Sequence, residues 1–161
     1  MAGSTSQLAA SQFDLVEIYN EVALYPFGLP VRPYFDWVSN IANKAANWDV
    51  AGTNGSDAWA MGVKFGGINK KGDWETSYAY KWIGRNAVPG FNDSDFGYSG
   101  HSGLRGSHIK AGYALTDYLT VNAGAIFANN LNVGTRLDGG TSSGILDQEQ
   151  RRFQLDLVWK F

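Results

Sequence analysis

Seven stretches of this chain alternate between apolar and polar residues, and that two-residue period constrains the fold more than any other feature. In an extended strand successive side chains point to opposite faces, so each stretch has one oily face and one polar face. The pattern is plainest at the end, where Phe153, Leu155, Leu157, Trp159 and Phe161 interleave with Arg152, Gln154, Asp156, Val158 and Lys160. In 13–25, Val16, Ile18, Val22 and Leu24 stand against Glu17, Tyr19 and Glu21. In 31–40, Val31, Phe35 and Trp37 stand against Arg32, Tyr34, Asp36 and Asn40. Segments 58–65 and 73–82 set Trp59, Met61, Val63, Phe65 and Trp74, Tyr78, Tyr80, Trp82 against Lys64, Glu75, Ser77 and Lys81. Segments 107–115 and 118–127 set Ile109, Tyr113, Leu115, Leu119, Val121 and Phe127 against His108, Lys110, Thr120 and Asn122. Helical spacing fits none of these, so the fold is all-β.

The connections carry a second pattern. Short turns (YPFGLP, GGINKKG and Thr116-Asp117) alternate with long polar stretches after residues 39, 83 and 127. An antiparallel up-and-down sheet then has every long loop at one end. That is the habit of transmembrane β-barrels, whose short turns face the periplasm and whose long loops face outside. The oily faces would meet lipid, with aromatics near strand ends forming interfacial girdles: Trp37, Trp59, Phe65, Trp74, Tyr78, Tyr80, Trp82, Trp159 and Phe161. The polar faces would line the interior: Glu17, Glu21, Arg32, Asp36, Lys64, Glu75, Lys81, His108, Lys110, Arg152, Asp156 and Lys160.

Composition agrees. Gly (20) and aromatic residues (14%) are abundant, while the mean hydropathy of -0.24 looks soluble, because alternating faces cancel in the average. A formal net charge of -2 gives no reason to expect a nucleic-acid partner. The absence of cysteine removes disulfide frameworks and thiolate metal sites, and fits an extracytoplasmic setting. No apolar run reaches the length of a spanning helix. The start, MAGSTSQLAASQ, has neither a basic region nor an apolar one, so no signal peptide is read there, and a mature or trimmed chain is expected. The sequence divides into a polar segment, 1–12, and a β-barrel domain, 13–161. Soluble alternatives share the alternation: a β-sandwich or a lipocalin-like barrel binding an apolar ligand would turn the oily face inward.

A resemblance adds to this reading. The stretch VKFGGINKKGDWETSYAYKWIGRNAVPGFNDSDFG (63–97), then GYALTDYLTVNAGAIF (112–127) and the terminal RRFQLDLVWKF, resemble the carboxy-terminal part of the putative porins of Gram-negative bacteria. The resemblance implies an outer-membrane channel for passive diffusion of small hydrophilic solutes. It also implies that Phe161 matches the carboxy-terminal aromatic signal read by the barrel-insertion machinery.

Size matters for the channel. About eight strands enclose an interior filled by side chains, whereas about sixteen leave an aqueous path. In a wide pore the interior charges would set selectivity, and in a narrow one they would pair into a plugged network. A small closed barrel with a structural or surface-binding role is therefore the alternative within the membrane class. Seven strands leave the amino-terminal end on the wrong side for a bacterial barrel, whose strand number is even. Residues 1–12 could add a strand, but GSTSQLAASQ has only Leu8 to offer lipid. The expectation is that another polypeptide, a second copy or an amino-terminal barrel portion, covers the free edges.

Candidates for chemistry are weak. His101 with Ser99, Ser102, Asp93 and Asp95 lacks the G-x-S-x-G pattern, because Leu104 stands where its second glycine is required. His108 is a lone imidazole with no second ligand in view, and Asn92-Asp93-Ser94-Asp95 lacks the downstream Glu of a calcium loop. The sequence points to no enzyme, metal or cofactor.

Overall fold

The computed structural model describes residues 13–42, 55–84, 87–89, 96, 103–131 and 149–160. Seven strands form one sheet in chain order: β1 (Leu15–Glu21), β2 (Val31–Asn40), β3 (Asp57–Gly66), β4 (Trp74–Ile83), β5 (Leu104–Ala114), β6 (Leu119–Asn130) and β7 (Glu149–Trp159). Each is antiparallel to the next, the up-and-down order that the alternating connections require. The sheet is open. Among the described residues β1 borders only β2, and β7 borders only β6, so the barrel expected from the sequence is not closed here.

Strand ends differ from the sequence pattern in several places, most clearly at β1 and β5. The alternation over 13–25 continues past the real strand, since β1 stops at Glu21 and Leu24 makes only an isolated bridge to Val31. Pro26 lacks an N–H and opens a 3-10 turn, Pro26–Gly28, in which Phe27 takes a left-handed φ of 54°, and the chain reverses there. At the other extreme, β5 begins at Leu104, before the alternation becomes visible at residue 107. Leu104 lies on the polar face and Arg105 on the apolar one, which hides the strand from a periodicity search.

The short connections are held by local hydrogen bonds. The Asp73 carboxylate accepts the backbone N–H groups of Asn69 and Lys70, each at 2.9 Å. These two donors hold its pKa below the ordinary aspartate value. Lys71 N–H donates to Asp117 at 2.8 Å, tying the β3–β4 turn to the β5–β6 turn. There Thr116 Oγ1 accepts the N–H groups of Tyr118 at 3.1 Å and Leu119 at 2.9 Å.

Burial is inverted relative to a soluble sheet. The buried strand residues Asn40, Ala58, Ala79, Leu104, His108, Ala114, Ile126 and Ala128 all lie on the polar face. The apolar face is open, with Phe153 73%, Leu155 74% and Leu157 70% exposed, and Phe35, Met61, Trp74, Tyr78, Ile109 and Tyr113 also exposed. The sheet therefore curls around its polar side. A soluble sandwich or ligand-binding barrel needs the reverse, because apolar burial is its main driving force. Among the described residues the largest buried side chain belongs to a connection: Phe96, 1% exposed, packs with Leu104, Ile126, Ala128 and the partly buried Ile83 on the polar face.

Candidate functional site

Directly paired residues in an antiparallel sheet point to the same face, so the register sorts the polar side into rows. One row crosses six strands as Arg32, Lys64, Ser77, Lys110, Gly124 and Gln154. Nearer the short turns lies the row Glu75, Gly112, Asn122 and Asp156. On the other side come Glu21, Tyr34, Gly62, Ala79, His108, Ile126 and Arg152. Next come Tyr19, Asp36, Ala60, Lys81, Gly106, Ala128 and Gln150, and Glu17 pairs with Val38 one row further. Lys160 follows β7, with its N–H bonded to the Tyr118 carbonyl at 2.8 Å. All the charged positions singled out from the sequence thus share one side of the sheet.

This side holds a partly open cavity of about 450 Å³ whose lining runs from Arg32 on β2 to Gln154 and Asp156 on β7. Beside the cavity, a small residue gives an aromatic ring room. Gly62 lies under the Tyr34 ring, and a Cβ there would come within 2.6 Å of both Tyr34 Cε1 and the Tyr78 carbonyl oxygen. With that space the side chains of β1 to β3 interlock. Tyr19 donates its hydroxyl to Glu21 Oε2 at 2.7 Å, and Lys64 Nζ reaches the same oxygen at 3.1 Å. The ammonium of Lys64 sits 5.2 Å from the centre of the Tyr34 ring, itself 6.2 Å from the Tyr19 ring. Asp36 lies within electrostatic reach of Glu17 and Lys81. Lys81 Nζ is 5.1 Å from the centre of the Phe96 ring, joining the charged rows to the buried cluster. His108 is buried between Ala79 and Ile126 in the register.

On the other side, Trp37, Trp59 and Trp82 stand side by side in direct cross-strand register. Trp74 pairs with Tyr113, and Trp159 with Leu119, towards the short turns. Trp74 and Trp82 are eight positions apart on β4. At about 3.4 Å per residue and a tilt of about 40°, that separation spans roughly 20 Å along the normal, close to the ~25 Å apolar band of an outer-membrane barrel. Phe65 lies at the end of β3 opposite Val31 and Thr76, while Tyr78 and Tyr80 lie midway along β4. Three hydroxyls on this face find partners within the sheet, as surroundings without water favour. Tyr78 and Ser107 hydroxyls are 3.1 Å apart, and Thr76 donates to the Lys110 carbonyl at 3.0 Å.

The sequence reading did not single out Tyr19, Tyr34, Ser77, Asn122 and Gln154 as site residues, although their parity put them on the charged side. It also missed Phe96, which has no periodic signal because it lies in a connection. Phe161, His101, Ser99, Ser102 and the Asn92–Asp95 stretch lie outside the described residues.

A sheet that is charged and glycine-rich on its curled side and aromatic on its open side defines the class of strand-built membrane proteins. Among known families, the one described as Putative porin matches residues 7–160, nearly the whole chain, and this chain belongs to it. No curated protein and no solved structure matches. Membership places the chain, at a general level, with porin-like outer-membrane channels.

Proposed function

We propose that the chain forms the wall of a porin-type channel in the bacterial outer membrane, through which small hydrophilic solutes diffuse passively. The observation that carries this reading is the inverted distribution: charged residues from five strands line a cavity on the polar side while large apolar side chains stay open to the surroundings. In this reading Glu17, Glu21, Arg32, Asp36, Lys64, Glu75, Lys81, His108, Lys110, Arg152, Asp156 and Lys160 face the water path. The aromatic rows hold the two lipid interfaces. Strands of another polypeptide cover the outer edges of β1 and β7, because an unpaired edge in hydrocarbon costs several kcal/mol per group. Phe161 serves as the signal for the insertion machinery. The test is conductance: purified protein reconstituted into planar bilayers should give stepwise, ohmic current increments, and liposomes carrying it should swell in small sugars. Tight, non-conducting liposomes that contain folded protein would refute the channel.

One observation favours a second reading. The buried Phe96 cluster covers the polar face at the long-connection end, as it would in a plugged barrel whose role resides in its surface loops. Conductance separates the two.

A further inference from the structure

Charges on the polar side come close to balancing in number, but they are segregated in place. The row from β2 to β7 reads Arg32, Lys64, Ser77, Lys110, Gly124, Gln154, with three cations and no carboxylate. Arg32 and Lys64 stand directly opposite each other, an arrangement that destabilises a sheet unless negative charge lies close. One carboxylate, Glu21, serves both: it pairs with Lys64 at 3.1 Å and lies within electrostatic reach of Arg32. Arg32 nevertheless keeps a buried Nε without a hydrogen-bond acceptor, a donor for which an incoming acceptor would compensate.

The geometry suits a small anion. Neighbouring strands lie about 4.8 Å apart, so Lys64 and Lys110 flank Ser77 with roughly 10 Å between their backbones. Two ammoniums on flexible four-carbon stems can close on one group held over the serine hydroxyl. All six residues of the row line the cavity. Next to Lys110 the floor is open: a Cβ built on Gly124 would meet nothing nearer than 3.9 Å. Glu75 and Asp156, one row towards the short turns, bound the space with negative charge on that side.

We infer that this row is a binding shelf for a small oxyanion, a phosphate or carboxylate group held between Lys64 and Lys110 over Ser77, with Arg32 on its flank. The inference rests on the channel reading and deepens it, since it names the class of solute that the channel favours.

Inorganic phosphate is the probe. It is titrated into folded protein in detergent and followed by the phosphorus NMR line width, while reversal potentials are measured in bilayers under a KCl gradient. The wild type should bind phosphate saturably and favour chloride over potassium. Lys110→Gln should weaken binding about tenfold or more, the usual worth of a charge-assisted hydrogen bond, and shift the reversal potential towards potassium. Ile109→Val, on the opposite and exposed face of β5, should leave binding unchanged. Absence of saturable binding, or unchanged affinity in Lys110→Gln, overturns the shelf. A conducting pore that binds no phosphate overturns the shelf and leaves the channel standing. Phosphate binding by a folded, non-conducting protein upholds the shelf and overturns the channel.

Discussion

Adjacent residues on β6 offer a direct measure of which face meets lipid. Asn122 points into the cavity, opposite Gly112 and Asp156, and Ala123 points the other way, exposed, between Ala111 and Leu155. Ala123 lies four positions after Leu119, the residue paired with Trp159. At about 3.4 Å per residue and a tilt of about 40°, that puts it roughly 10 Å inside the aromatic row, near the middle of a ~25 Å band. Arginine at the mid-depth of the lipid face costs about 2–4 kcal/mol, a factor of roughly 30 to 1,000 in the folding equilibrium. Ala123→Arg should show that loss. Asn122→Arg places the same guanidinium beside Asp156 in a polar cavity and should change stability by no more than about 1 kcal/mol. Leu119→Arg, at the rim, should also cost only about 1 kcal/mol from its charge. The assay is reversible unfolding by urea in phosphatidylcholine vesicles, followed by the fluorescence of the chain's 6 tryptophans. Equal losses for Asn122→Arg and Ala123→Arg would refute the assignment of faces, and equal losses for Leu119→Arg and Ala123→Arg would refute the depth.

Other perturbations probe separate parts of the sheet. Gly62→Ala forces a Cβ against the Tyr34 ring and the Tyr78 carbonyl, and should cost about 1–3 kcal/mol in the same urea assay; an unchanged midpoint would contradict the close approach. Phe96→Ala empties the buried cluster, should cost about 3 kcal/mol, and should raise single-channel conductance if the ring narrows the path. Unchanged conductance would place Phe96 outside the path. The Asp73 carboxylate has a folded-state pKa lowered by two backbone donors, so its contribution is present above the unfolded aspartate pKa and disappears as pH falls through the lower folded value. Asp73→Asn should therefore remove part of the loss of stability between neutral pH and about pH 3, and identical pH profiles would refute this. Deleting Phe161 should lower outer-membrane levels in cells more than it lowers the stability of refolded protein, and equal cellular levels would count against its signalling role.

Face assignment was legible in the sequence because the side-chain period of a strand is fixed at two. Lys64 and Phe65 had to point apart whatever their partners were. Which residues stand beside Lys64 was not legible. Register depends on how each connection closes: the bent 22–30 turn around Pro26 and Phe27 sets Glu21 opposite Tyr34, and the 67–73 turn sets Lys64 opposite Ser77. The cation row and the Trp37, Trp59, Trp82 row are consequences of register, so neither could be read from alternation alone. Strand ends were legible only where alternation persists. Leu104 broke the pattern because its neighbours are the buried cluster rather than water, and Glu149 and Arg151 broke it because they satisfy each other at 2.9 Å on the apolar side, near the end of β7. Phe96 lies on no strand, and its inward placement has no counterpart in any local period.

The topology also fixes the arithmetic of closure. Directions alternate through the sheet, so β1 and β7, the first and last of seven, point the same way. If two such sheets stood side by side in one membrane with the same orientation, each seam would join β7 to β1 as parallel neighbours, and every other pair in the ring would be antiparallel. A purely antiparallel ring instead needs an odd number of strands inserted between the two edges, beginning and ending with strands opposite in direction to β1 and β7. The free edges thus specify their partner by parity: one, three or any other odd count completes an alternating wall, and no even count does.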